Sequence, residues 1–396
     1  MPRTNNRSTS TKTKAQAKCT LTIKPRVLSN DLKLLNAAIS SNQKGLDRVQ
    51  IEVGEGQSIF SVAGDTLGVK VHHKAPKTKQ SNPVQVSCRQ FMNLATRLDN
   101  TGQNLEIGNE WVTISNKKNT YQHQLVTYKE ILPQNRSQFV PVAVVEAAQF
   151  KQALERVVPF LNSEVKEITS GVCLQIKRST ESDSESSQLI MTGLSEPGMG
   201  TTTITVEPVE SEDSSDTGDI LLIVPKKAIA FIASQAANFI ISIAENAVRF
   251  TWDNIECTLQ TLKGEEYPDL DRIKASIDKN NISVEFNRQE LLNALKRHQV
   301  MSSEIAFKIE SDNCQLVQAT ELGSGAENIF CSCDRAELIT LHLHIDYLIR
   351  AISAIEGETA EFKLNLEPDE DGDIANTVAI QDENSLYCLM QLVSED

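Results

Sequence analysis

The run VRFTWDNIECTLQTLKGEEYPDLDRI, residues 248–273, decides how this chain is organised. Val248, Phe250 and Trp252 alternate with polar neighbours, Asp253-Asn254 supplies turn residues, and Ile255, Cys257, Leu259 and Thr261 resume the alternation. Period-two patterning on both sides of a turn predicts a hairpin with one buried face. The run closes on Tyr267-Pro268-Asp269-Leu270-Asp271-Arg272-Ile273. Proline has no N–H for a ladder and pushes the residue before it to an extended backbone. The chain is therefore expected to leave the sheet as an ordered, non-helical crossing that exits a domain.

Outward from that hairpin, one order of elements occurs three times. Each copy opens with an amphipathic helix: Leu34-Leu35-Asn36-Ala37 in the first is repeated letter for letter by Leu291-Leu292-Asn293-Ala294 in the third, and Phe150-Lys151-Gln152-Ala153 takes that place in the second. Alternating apolar strands follow at residues 49–53 and 59–63, 171–176 and 189–192, and 305–309 and 314–319. A strand then runs straight into a second helix at residues 84–98, 220–234 and 339–355, and further strands close each copy. Two closures share a phrase, Glu130-Ile131-Leu132-Pro133 and Glu266-Tyr267-Pro268-Asp269. The fold class expected is α+β, three repeated domains of two helices plus antiparallel sheets, at residues 18–137, 138–277 and 278–396 after a tail of residues 1–17.

A length of 396 residues with 40% apolar content suits roughly two or three ordinary domains. No apolar run approaches a bilayer span and the basic N-terminus lacks the apolar core of a signal peptide, so a cytoplasmic protein is expected. The eight cysteines are scattered, and only Cys331-Ser332-Cys333 is close-set, without a second matching pair; they read as reduced core residues.

The formal net charge of −14 hides how the charges are placed. Arg3, Arg7, Lys12, Lys14, Lys18, Lys24 and Arg26 stand in the first 26 residues with no acid among them, in a Ser/Thr/Asn-rich background that should be disordered at least to Ala17. The acids gather at residues 181–185, 207–219 and 367–373, which read as solvated loops. The helices are basic instead. Their polar faces carry Lys33, Arg89, Arg97, Lys151, Arg156, Lys226, Lys227, Arg288, Lys296, Arg297 and Arg350. Three such units bent into an arc with the helices on the concave side would concentrate cations within, where a polyanion would be held.

Catalytic readings find no support. His72-His73 are vicinal, and His342 and His344 alternate along a strand without the Cys or carboxylate spacing of a metal site. Gly193-Leu194-Ser195-Glu196-Pro197-Gly198 lacks the lysine and hydroxyl of a phosphate loop and reads as a turn. No Ser/His/acid set emerges from spacing.

The threefold order, the phrase Ile223-Val224-Pro225-Lys226-Lys227-Ala228, the run 248–273 and the tail Tyr387-Cys388-Leu389-Met390 together resemble the bacterial DNA polymerase III β subunit, the β sliding clamp, over residues 19–393. That resemblance implies a head-to-tail homodimeric ring of six similar domains around double-stranded DNA. It implies a tether for DNA polymerase III and a clamp loader through a peptide pocket, with no catalytic centre and no cofactor. Such a ring holds DNA without reading it, using phosphate-directed cations on rigid helices. The joint of the ring is implied at Val300 and Met301, with Tyr121 as the opposite number on the partner. The pocket is implied at Gly193, Pro268, Arg272, Ile273, Cys388 and Met390. Here the family's Asp-Gly-His-Arg-Leu segment is replaced by Thr192-Gly193-Leu194-Ser195-Glu196 and a usual apolar residue by Thr169. Ser195 and Glu196 would then stand at the pocket mouth where a cation and an aliphatic residue are expected, which weakens the usual peptide. A clamp-like paralogue serving as a partner-binding or regulatory protein is the alternative.

Overall fold

The computed structural model describes residues 19–392 except 42–46, 65, 78–81, 98–102, 109, 117, 128–137, 163–167, 179–185, 210–219, 263–266, 322 and 366–376. The basic tail, the first closing phrase and nearly all of the three acidic segments therefore lie outside the described residues. Seven α-helices occur among those described: α1 (Pro25–Ser41), α2 (Cys88–Thr96), α3 (Ala147–Val157), α4 (Lys226–Ala233), α5 (Leu270–Ile277), α6 (Arg288–His298) and α7 (Ile345–Ala354). Six of them form the three expected pairs, since α1 packs on α2, α3 on α4 and α6 on α7. Each helix buries its apolar stripe, for example Leu291, Leu292, Ala294 and Leu295 of α6, while the residues between them stay in water.

Antiparallel strand pairs surround the helices. Two compact units result, one of residues 1–134 with 254–256, the other of the remainder. In the first unit, Cys19–Ile23, Gln103–Ile107, Trp111–Ser115 and Thr120–Gln124 form a four-stranded sheet in that order, with Thr120–Gln124 at its edge. A second sheet runs through Val84–Val86, Val49–Gly54, Gln57–Ala63 and Leu67–Lys74.

In the second unit the two later copies share a sheet. Gly198–Pro208 pairs on one side with Ser187–Ser195 and on the other with Ser385–Met390, in a register that sets Gly200 against Tyr387 and Met199 against Cys388. Phe160, at the end of a 3-10 turn over Val158–Phe160, lies within the apolar core of the third copy and stacks on Tyr387 with ring centroids 5.3 Å apart. Close approach is possible because a Cβ at Gly200 would stand 2.5 Å from the Phe160 ring. Polar ties reinforce the joint: the Arg156 guanidinium donates to Ser385 Oγ (3.1 Å) and Glu356 Oε1 (2.7 Å), and Arg350 Nη1 donates to the Pro159 carbonyl (2.8 Å).

Strands Ala247–Trp252 and Ile255–Gln260 flank the expected turn, where Asp253 takes a left-handed φ of 47°. The crossing that follows is helical, contrary to the sequence expectation. Pro268 precedes the helix instead of interrupting one, and Asp269 caps it, its Oδ1 accepting from the N–H groups of Asp271 and Arg272 at 3.0 Å. Leu270, Ile273 and Ile277 then fall on one face of α5 and pack in an apolar cluster with Cys173 and Met199. Asp269→Ala should lower the unfolding free energy by about 1 kcal/mol, the usual worth of an N-cap; an unchanged denaturant midpoint would count against the cap.

Candidate functional site

Helices normally place acids in the first turn, because the N-terminal end carries positive partial charge and a cation there costs roughly 0.3–1 kcal/mol. Two helices break this rule. Arg89 is the second residue of α2, and Lys226 and Lys227 open α4 directly after Pro225, with no acid in either first turn; Arg288 opens α6, but Glu290 stands in the same turn. Free backbone N–H groups and cations at one helix end make an anion-receptive surface; at α2 that end already carries a carboxylate, the Arg89 N–H donating to Asp47 Oδ1 (3.1 Å).

The eleven sequence-predicted cations fall into two states. Lys33, Arg89, Arg97, Lys226, Lys227 and Lys296 are exposed, and no side-chain ion pair ties them among the described residues. The other five are engaged. Lys151 lies 3.9 Å from Glu155, one turn on. Arg156 is only 13% exposed and held by Glu356, with Asp382 4.0 Å away. Arg297 forks onto Glu327, which raises the guanidinium's pKa and holds the carboxyl below its ordinary value. Arg288 donates to the Ile352 and Ser353 carbonyls at the end of α7, and Arg350 to Pro159. Lys33, Arg89 and Arg97 belong to the first unit, the others to the second.

A second candidate surface is apolar. Cys173, Met199, Ile223, Leu270, Ile277, Ala379 and Cys388 form a buried cluster with Ile168, Leu194, Leu262, Tyr267, Ile273 and Leu386 half-buried against it. Of the sequence-predicted pocket residues, Ile273 and Cys388 meet here. Met390 stands beside it, 53% exposed, its N–H donating to the Pro197 carbonyl (3.1 Å), while Pro268 and Arg272 are exposed at the start of α5. Burial pushes the Cys388 thiol up to about 11 and the Cys173 thiol up to about 12, so both stay protonated and apolar near neutrality. The phenol of Tyr267 is raised by the same burial.

The altered segment is held by its own turn. Ser195 is largely buried, its Oγ donating to the Gly198 carbonyl (3.2 Å) and closing the turn through Glu196-Pro197, and together with Glu196 it lines an open groove beside Leu161 and Tyr347. Only Glu196 of that pair is exposed. Gly193 has a packing role, since a Cβ there would stand 2.3 Å from the Val157 carbonyl at the end of α3. Leu161 lies against the same glycine. Leu161, Leu194, Met199 and Tyr347 were all missed from sequence, because their places depend on how the two later copies meet. Gly193→Ala should destabilise the chain by about 1–3 kcal/mol, since backbone has to yield; a denaturant midpoint equal to that of the parent would refute the contact.

At the far end of α6, Val300 and Met301 do not form the helix-end core that apolar residues there would ordinarily make. Val300 is 87% exposed and Met301 41%. Beside them, the 323–330 part of strand Gly323–Cys333 pairs on one side with Asn313–Thr320. Tyr121, 43% exposed, lies on the edge strand of the first unit.

No family model matches the chain, and no curated protein matches it. Solved structures do. The DNA polymerase sliding clamp of Pseudomonas aeruginosa with ligand superposes at a TM-score of 0.76 and 15% identity, over 95% of this chain and 100% of that one. The fold is that of the bacterial β sliding clamps. The C. crescentus β sliding clamp gives 0.76 and 15% over 96% and 100% of the two chains, and the Helicobacter pylori β clamp bound to a DNA ligase peptide gives 0.71 and 15% over 94% and 100%. A sliding-clamp fold accounts for the threefold order and for the shared sheet between the later copies. Among the described residues no three His, Cys, Asp or Glu side chains are grouped to hold a metal ion, and no helix is long and apolar enough to cross a membrane.

Proposed function

We propose that this protein is a DNA sliding clamp, a homodimeric ring that encircles duplex DNA and tethers DNA polymerase III and other replication or repair proteins. The observation that carries the reading is the full-length likeness to clamps combined with cations placed at helix N-termini against the dipole preference. Sequence-independent holding needs replaceable phosphate contacts, which exposed Lys33, Arg89, Arg97, Lys226, Lys227 and Lys296 provide. Nothing in the role calls for a reacting group or a cofactor.

The ring closes in this reading where Val300 and Met301 of one copy meet the Tyr121 strand of the next. Exposed apolar residues beside two open strand edges are a liability in a monomer and an asset in a head-to-tail joint. The three domains are those bounded at 137/138 and 277/278. The peptide pocket is the cluster around Ile273 and Cys388, flanked by Gly193, Pro268, Arg272 and Met390. A H. pylori clamp was solved with a DNA ligase peptide and a Bartonella birtlesii clamp with griselimycin, which supports a ligand-receptive pocket in this fold.

Primer extension on a singly primed circular template tests the reading. With polymerase and loader from the same cell, adding this protein should lengthen the product made in one binding event. Unchanged product lengths, with the pocket still binding partners, would favour a regulatory paralogue.

A further inference from the structure

The apolar stripe of α5 contains a lysine. Leu270, Ile273, Lys274 and Ile277 recur at the spacing that puts four side chains on one helix face, and that face packs against Cys173 and Met199. Lys274 is half-buried there, and among the described residues no hydrogen bond or ion pair ties its ammonium. Three groups face it. Lys177, on strand Gly171–Arg178, is a like charge; Asp271, one turn back on α5, is 75% exposed and stands 4.0 Å from Lys177 Nζ; Cys173, on the same strand as Lys177, is a buried neutral thiol. Burial first, and Lys177 second, hold Lys274 below the ordinary lysine pKa, because both disfavour the charged form and a single exposed carboxylate shared with Lys177 does not make up for them.

A second polar group at this spot is unserved. Tyr267 packs against the same cluster beside Cys173, and its phenol oxygen is buried with no hydrogen-bond partner. The end of α5 thus sets an ammonium without a counter-ion and a phenol O–H without an acceptor around one thiol.

We propose that Lys274 is a modification site whose amine takes an acyl group from an activated acyl donor, an acyl phosphate or a thioester. The proposal goes beyond the clamp reading and does not depend on it. The lone pair of the free amine attacks the donor's carbonyl carbon and an N–C bond forms. The C–O or C–S bond then breaks, its electron pair leaving on phosphate or thiolate, and the surplus Nζ proton passes to water. The product suits its surroundings better than the ammonium does. An amide has no charge to desolvate, and its carbonyl oxygen is an acceptor brought beside a phenol O–H that has none. An exposed lysine gains nothing of the kind; Lys279, two residues past the end of α5, is one.

The test is timed acetylation of the full chain by acetyl phosphate and, separately, by an acetyl thioester, over a pH series, with the rate at each lysine read by mass spectrometry of the digest. Near neutral pH Lys274 should be acetylated severalfold faster than Lys279. Its rate should also reach half its plateau below the ordinary lysine pKa, because the amine form is populated at lower pH. A lead with both donors upholds the site for activated acyl groups as a class, and a lead with one donor upholds it for that donor. A rate at or below that of Lys279 with both donors would mean that the amine is out of reach, and would overturn the proposal. A half-plateau at or above the ordinary lysine value would overturn it likewise, since the side chain would then keep its charge.

Discussion

Phe160→Ala is expected to lower the unfolding free energy by about 3–5 kcal/mol, the range for removing a buried aromatic ring and leaving a cavity. The ring is fully buried, stacked on Tyr387 and tilted against Tyr347 at a centroid distance of 5.8 Å. Such aromatic pairs add about 0.5–1.5 kcal/mol each beyond buried area. Its neighbours cannot collapse into the gap easily, because Gly200 has no side chain to fill it and lies in a strand held by ladders on both sides. Urea denaturation checks the value. A loss below about 1 kcal/mol would mean that the two later copies are joined by the shared sheet and the Arg156 and Arg350 ties alone.

Met301→Glu is expected to convert the proposed dimer into monomers with an intact fold. Val300 and Met301 stand in water in the isolated chain, so a carboxylate at 301 costs the monomer little. Within a closed joint the same carboxylate would be desolvated without a partner, in both of the two identical interfaces, and a buried unpaired charge typically costs about 3–5 kcal/mol. The cost therefore falls on assembly rather than on folding. Light scattering at micromolar concentration should give twice the chain mass for the parent and the single mass for the variant, with equal melting curves at concentrations where both are monomeric. Monomers in both would remove the ring.

Much of the fold was legible because it is written in short-range periodicity. The paired helices and the alternating strands at 49–53, 171–176 and 305–309 lie inside elements the structure contains. The α5 helix was not, because Pro268 was weighed as a break in the chain when it stands just before a capping aspartate. The bond that holds Ser195 was not legible for a related reason: it is made to a turn carbonyl three residues on, and a correspondence between segments does not carry it. The cations show the same division. Sequence periodicity puts Arg156, Arg288 and Arg350 on polar helix faces, but their partners, Glu356, the α7 carbonyls and Pro159, are 200, 64 and 191 residues away. Which of them is free to meet a phosphate is a property of tertiary contacts alone.

Whether the protein surrounds DNA is tested more directly by topology than by affinity. The protein would be loaded onto a nicked circular duplex, the salt raised until diffuse phosphate contacts are lost, and the bound fraction followed by gel filtration before and after one restriction cut. The account predicts retention on the circle at high salt and release once the ends are free to slide out. Equal loss from circular and linear DNA as salt rises would contradict it.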